Sequence, residues 1–395
     1  LGENESIAGT VPALFGWEDY RDCPGAFCSL KSVRVRSGEE IAAGAFYRCG
    51  LLEEVDYRQT IRSIGEDAFS GCASITSFTL PSGLETIGSG AFEGCYRLYE
   101  VENRSSLNVR AGSEGYGMVA KYALAVYGAG ENMPERETDG DWTFMETGGV
   151  RYLVGYGDRS FLSLPQTPQS YRIAPYLFYN DTNIERLDST GSAEIIGDYA
   201  FLQCAFLTKA VFSEGLKEIG EGAFSGCNAL TQVTLPASLA EIGEGAFSSS
   251  CLYEVWNLSS LPVEAGGSDY GGVGKYAMFI YDSADEESRV AAEDGFIFVR
   301  DGEEWSLVAA SQTDRVYLPE DGRIGGVRID GYALGKGFGN EGIKVLYIPM
   351  EVERVGQAAF DGCTGLTAIY YEGTEEEWQQ IGGYTPSGCS IVYES

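Results

Sequence analysis

The chain contains no histidine. Its absence removes Ser-His-Asp and Cys-His nucleophilic catalysis, histidine-ligated zinc, and the side chain that ordinarily carries protons near neutral pH. Basic residues are scarce, with 27 Lys and Arg against 59 Asp and Glu and a formal charge of −32. Tracking a phosphate backbone needs neutralising cations, so nucleic acid is not an expected partner. Such an acidic surface selects basic partners or, as the plainer reading, keeps a protein soluble outside a cell. No apolar run reaches the roughly 18 residues of a membrane-spanning helix. The chain opens at Leu1 without a basic and apolar leader, as expected of a mature chain from which a signal peptide is absent.

Complete catalytic motifs are also missing. Gly274-Lys275-Tyr276 hints at a phosphate loop, but Asp269 stands where the leading glycine belongs and Tyr276 replaces the required Ser or Thr. Asp282, Asp285, Glu286 and Glu287 lack the alternating order and central glycine of a calcium loop. Paired carboxylates for glycoside cleavage are not excluded by spacing, although solvated surface acids are the plainer reading of so many. No catalytic, metal or cofactor residue is assigned, and the chain is read as a non-enzyme.

What the chain does contain is a repeat. Leu84-x-x-Ile87-Gly88-x-x-Ala91-Phe92-x-Gly94-Cys95 returns at Ile61 to Cys72, Leu216 to Cys227 and Val352 to Cys363, and without its cysteine at Leu239 to Phe247. Cys49, Cys72 and Cys95 are spaced by 23 residues, as are Cys204 and Cys227, a step that signifies a stacked solenoid. Each cysteine precedes an L-x-x-L-x-L triplet such as Ile75-Phe78-Leu80, Leu230-Val233-Leu235 or Leu366-Ile369-Tyr371. The alternation at its end predicts a short strand with one buried face, stopped by Pro81, Pro236 and Pro349. One coil cannot bury its own apolar edge, so neighbours must stack into a parallel sheet. Cys49, Cys72, Cys95, Cys204, Cys227, Cys251 and Cys363 are assigned to one repeat position, as a column of buried, unpaired thiols. Cys23 and Cys28 lie outside that column, with a disulfide and free thiols equally open, and Cys389 reads as a lone thiol in a C-terminal cap.

The motif I-G-x-x-A-F-x-G-C-x-x-L-x-x-V-x-L-P, nearly complete at Ile64 to Pro81 and Ile219 to Pro236, resembles the BspA-type leucine-rich repeats of bacterial cell-surface proteins. The resemblance implies a β-dominated α/β solenoid, with a parallel sheet on the concave side and short helical turns elsewhere. It also implies a secreted or cell-surface location and adhesion to host or neighbouring cells.

The text from Asn103 to Pro165 recurs 154 residues later: Lys121-Tyr122-Ala123-Leu124 against Lys275-Tyr276-Ala277-Met278, and Leu164-Pro165 against Leu318-Pro319. The chain thus reads as an N-terminal cap (1–26), repeat blocks at 27–102, 166–256 and 320–371, β-rich insertions at 103–165 and 257–319, and a C-terminal cap (372–395) with Trp378 in its core. Gly148-Gly149 and Asp301-Gly302 mark hairpin turns within the insertions. Asn103-Arg104-Ser105 and Asn257-Leu258-Ser259 match glycosylation sequons, but their duplication at the insertion entry favours asparagines that fix the backbone.

On each strand the residues beside and between the last two apolar positions face outward. In the first block these include Arg34, Glu54, Asp56 and Glu102; later they include Arg186, Asp188, Val211, Glu254, Trp256, Tyr347 and Tyr370. Val211, Trp256, Tyr347 and Tyr370 fall in one column, an expected contact for a protein or glycan partner, joined by Arg186, Asp188 and Glu254. The competing expectation is that the second insertion folds back over Trp256 and Tyr347. A passive surface spacer and, less favoured, a carboxylate-based glycoside-processing enzyme are the alternative functions.

Overall fold

A computed structural model describes residues 18–22, 29–35, 38–57, 59–131, 133–157, 160–189, 191–293, 295–310, 313–320, 322–324, 327–329, 331–335, 342–356, 359–360 and 363–393. Cys23 and Cys28, and most of the N-terminal cap, lie outside these residues. The chain forms two compact units, one from Leu1–Cys251 with Asn257–Lys275, the other from Leu252–Trp256 with Tyr276–Ser395.

In the first unit the triplet strands pair parallel and in register. Ser32–Val35 lies beside Glu54–Tyr57, and Ser77–Leu80 beside Glu100–Asn103, which pairs with Ala125–Gly128. Phe161–Ser163, Arg186–Asp188, Lys209–Val211 and Gln232–Leu235 continue the pattern. A second row of short strands runs through the Ile-Gly segments, as at Ser63–Ile64 beside Thr86–Ile87. Glu135–Asp139, Trp142–Thr147 and Val150–Gly155 form an antiparallel meander, turning at Gly148-Gly149 with φ of +58° and +74°. Its last strand pairs parallel with Tyr171–Ile173, and so joins the row that continues through Ala193–Ile196 and Glu218–Ile219.

Inside, like stacks on like. Phe178, Phe201, Phe224 and Phe247 stack face to face, with centroids 4.5, 5.0 and 5.3 Å apart. Burying each such side chain contributes roughly 1.5–3 kcal/mol. Cys49, Cys72, Cys95, Cys204 and Cys227 are all buried in the expected column. Each thiol from Cys72 on reaches back one coil, Cys72 Sγ to Phe46 O at 3.1 Å and Cys227 Sγ to Phe201 O at 3.1 Å. Cys251 departs from expectation: it is half-buried, and Ser250, at the 23-residue step from Cys227, fills the column with its hydroxyl on Phe247 O at 2.7 Å.

The Gly-x-x-Ala-Phe segments form tight turns, and the reason lies in their hydrogen bonds. Gly44, Phe46 and Arg48 donate their N–H groups to Glu66, Ala68 and Ser70 of the next coil, while Ala45, Tyr47 and Cys49 donate three residues back. With alternate donors committed between coils, no i→i−4 ladder forms. The same zigzag places every fourth residue in left-handed backbone, glycine at Gly222 and Gly226 but Tyr199 and Gln203 one coil earlier. Close stacking also fixes the motif's Ile-Gly glycine. A Cβ on Gly88 would lie 2.4 Å from Glu66 N of the preceding coil.

The second unit repeats these devices. Arg315–Tyr317, Val345–Ile348, Ala368–Tyr371 and Ser390–Tyr393 form a parallel four-stranded sheet. Val290–Glu293, Phe296–Asp301 and Glu304–Ala309 form the meander equivalent to that of the first insertion, joined in parallel to Tyr332–Leu334 and Val352–Val355. The only α-helix among the described residues, Glu375–Gln380, starts from a Thr374–Glu377 capping box and buries Trp378 against Tyr371.

Candidate functional site

The outward columns decide what the sheets offer a partner. In the first unit Arg186 lies along the sheet surface, its guanidinium 3.3 Å from both Asp188 oxygens and over the Phe161 ring at 5.6 Å. Val211, next to Asp188 in register, is half-buried. Arg186 and Asp188 thus largely satisfy each other, and the exposed aromatic beside them is Phe161.

Glu254 and Trp256 correct the sequence expectation, since neither is on the surface. Glu254 is fully buried and accepts hydrogen bonds from Tyr281 Oη at 2.7 Å, Ser288 Oγ at 2.6 Å and the Arg289 backbone N–H at 2.6 Å. Trp256 stacks near Tyr281 at 4.8 Å and donates its indole N–H to Glu286 O at 3.1 Å. The physical cause is that a buried carboxylate must be met by donors, and the second insertion folds over the strand to supply them. The first insertion does the same at Glu100, which accepts from Tyr127 Oη at 2.5 Å and from Arg136 at 2.6 and 2.9 Å. These acids clamp the insertions to the coils. Asn103 and Asn257 lock the adjoining turns, each amide donating to a carbonyl four residues on, Leu107 or Leu261, while its oxygen accepts from Ser105 or Ser259.

Tyr347 and Tyr370 are placed differently. With Tyr317 they form a ladder on the face of the four-stranded sheet, rings parallel within 6° and 13° and centroids 4.1 and 4.8 Å apart. The spacing follows from the in-register strands, since Tyr317, Tyr347, Tyr370 and Val392 are consecutive partners. Tyr317 is 61% exposed and Val392 is 42% exposed. Beside the rings runs a second column of Arg315, Val345, Ala368 and Ser390, in which Arg315 is the one charged residue. Hydrogen bonding to Tyr317 raises the Tyr347 phenol above its ordinary pKa, with desolvation adding to it.

Tyr317 was not singled out in the sequence because it falls at the end of the duplicated insertion text. A signal was present. Val316 and Leu318 alternate around it and Pro319 stops the strand, the same ending as Leu80-Pro81 and Leu235-Pro236.

The stacked inner rows and the recurring turn settle the family. The model of the BspA type leucine rich repeat region matches six copies, over residues 26–112, 161–262 and 335–393, more than half of the chain. This chain belongs to the BspA-type leucine-rich repeat family. The matching family model describes a repeat region and indicates no catalytic family. No curated protein matches. Among solved structures it is similar to a leucine rich cell surface protein from Faecalibacterium prausnitzii, at 15% identity over 65% of this chain and 99% of that one, TM-score 0.25. A leucine-rich repeat protein from Bacteroides ovatus shares 17% identity over 91% of this chain and 83% of that one, TM-score 0.27. The pneumococcal vaccine antigen PcpA shares 15% over 92% and 79%, TM-score 0.28. Among the described residues no three His, Cys, Asp or Glu side chains converge as a metal site, and no helix is long and apolar enough to cross a membrane.

Proposed function

We propose that this BspA-type repeat protein is a non-catalytic recognition protein, secreted or displayed at a bacterial surface, that binds a protein or glycan of a host or neighbouring cell. The observation that carries this reading is the outward-facing Tyr317–Tyr347–Tyr370 ladder, exposed at Tyr317 and half-buried at Tyr347 and Tyr370, a nearly uncharged strip in a chain of net charge −32. Pre-stacked rings lose little side-chain entropy on binding, and tyrosine-rich, charge-poor strips are what recognition surfaces are made of. Family membership supports export and adhesion. In this reading the blocks at 27–102, 166–256 and 320–371 form the display frame, the insertions at 103–165 and 257–319 brace it, and segments 1–26 and 372–395 cap its ends. Arg186 and Asp188 supply a lesser polar contact with the apolar Val211 beside them, and Glu254 and Trp256 serve the brace.

An array of extracellular proteins and glycans probed with the intact chain tests the proposal. Ligands retained by the parent should be lost, at least roughly tenfold in affinity, on Tyr317→Ser with Tyr347→Ser and Tyr370→Ser, with the fold retained by circular dichroism. Binding that survives the triple change moves the site elsewhere. A parent chain that retains nothing leaves the passive spacer as the better account.

A further inference from the structure

A groove of about 670 Å³ opens in the first insertion, lined by Leu124–Tyr127, Met133–Glu135 and Glu146–Gly149 together with Ala111. Two sheet edges border it. Ala125–Gly128 is the last strand of its three-stranded sheet, and Glu135–Asp139 the last of its seven-stranded sheet. Edge strands present backbone donors and acceptors to any extended chain that reaches them. The Ala125 N–H turns inward to Tyr99 O, so by alternation Val126, a lining residue, turns its backbone toward the groove. At the far end the Gly128 N–H is capped by Glu131 Oε2 at 2.6 Å, which limits where an added strand can pair.

The walls define the side chains such a strand would carry. Met133, 66% exposed, gives one apolar side, backed by the buried Pro134, while the Val126 side chain packs inward on the core. The charged lining residues are Glu135 and Glu146, directly opposite each other in the antiparallel register. Like charges so placed repel, and among the described residues no ion pair reaches either. Arg151, across from Glu146 on the other side, turns instead to Glu137 at 2.7 Å and lies over the Phe144 ring at 3.8 Å. The duplicated insertion shows that the acid pair is not needed to build this meander. At the equivalent positions, 154 residues on, stand Arg289 and Arg300, joined by the same backbone pairing at 2.8 Å. The same frame therefore accepts either sign, and the negative one is a property of this groove.

We propose that the groove is a docking site for an extended cationic polypeptide segment, which adds as a strand along Ala125–Gly128 and sets Lys or Arg side chains against Glu135 and Glu146 while its alternate apolar side chains meet Met133 and Pro134. This site is separate from the tyrosine ladder and does not depend on it.

Fluorescence anisotropy of the full chain with a labelled peptide of alternating lysine and valine, about six residues long, provides the test. Saturable binding is expected, weakened at least roughly tenfold by Glu135→Arg with Glu146→Arg, the charges the second insertion already carries, and in the same direction by the isosteric Glu135→Gln with Glu146→Gln. Reversing two distant acids, Glu241→Arg with Glu244→Arg, should change affinity less than about twofold, because exposed charges beyond a Debye length are screened. A proline-interrupted peptide of equal charge should bind poorly, since it cannot complete a ladder. Equal weakening by the distant pair would reduce the effect to general attraction by the −32 charge and overturn the site. Equal binding of the proline-interrupted peptide or of a glutamate and valine peptide would overturn it too. So would sedimentation showing that the groove is filled by a second copy, through self-association that Glu135→Arg with Glu146→Arg abolishes.

Discussion

In the first unit the charged side chains projecting from the parallel sheet largely answer one another: Arg34 donates to Asp56 at 2.7 Å, Arg104 to Glu102 at 2.6 Å and Arg186 to Asp188 at 3.3 Å. In the second unit the corresponding strands carry Tyr317, Tyr347, Tyr370 and Val392, with one arginine beside them. The inner rows do not change in this way. Phe360 and Cys363 of the second unit are buried like Phe224 and Cys227 of the first. Stacking thus constrains the inside of every coil and leaves the outside to vary, so the difference between the units is written where a partner would read it.

The change that breaks what the units share has the largest expected effect. Gly88→Ala drives a Cβ to 2.4 Å from the Glu66 backbone, and Gly356→Ala drives one to 2.5 Å from Leu334 O. Neither contact is with a flexible side-chain end, so the coils must separate. Each substitution should cost about 3 kcal/mol, measured by denaturant unfolding. A cost below about 1 kcal/mol in either unit would mean that its coils are not held at the spacing that puts like residues in rows.

A smaller effect sharpens the contrast between the outer faces. Tyr347→Ala removes the middle ring of two stacked pairs and should cost about 1–2 kcal/mol. Asp56→Ala removes an ion pair whose two side chains are each about two-thirds exposed, and should cost less than about 0.5 kcal/mol. Equal costs would show that the tyrosine ladder is no better ordered than a solvated ion pair.

The inner architecture was legible in the sequence because stacking forces repetition. Cys72, Phe69 and Gly65 recur in step, and a repeat at fixed spacing can be read without knowing any contact. The outward direction of Tyr347 and Tyr370 followed from strand alternation alone. The environment of Trp256 was not legible in the same way. Its strand alternates correctly, but burial is imposed by Tyr281 and Glu286, residues of the insertion whose path no periodicity predicts. The two readings of that tryptophan, exposed column or covered brace, differ only in long-range packing. Cys251 misled for a local reason, since an adjacent serine took the place that the 23-residue step assigns.

Tyrosines also separate the units by what they do at high pH. In the first unit Tyr96, Tyr122 and Tyr176 pack ring against ring, Tyr96 on Tyr176 at 4.7 Å and Tyr122 on Tyr176 at 5.1 Å, bringing the coil before the first insertion against the coil after it. Burial first, and the neighbouring Tyr96 next, push the Tyr122 phenol up to about 12. The unfolded phenol ionises near 10, so the fold favours the neutral ring. Its contribution is complete below about pH 10 and is lost as pH rises from about 10 through about 12. Tyr122→Phe should leave stability at neutral pH within about 0.5 kcal/mol of the parent and make the alkaline decline shallower, followed by thermal melts across that range. Tyr347→Phe is the matched change on the ladder, where the phenol is raised chiefly by its hydrogen bond to Tyr317, and by the same linkage it should make the decline shallower too, but by less than Tyr122→Phe. Were the two variants to flatten the decline equally, the distinction between tyrosines that join coils in one unit and tyrosines that face outward in the other would fail.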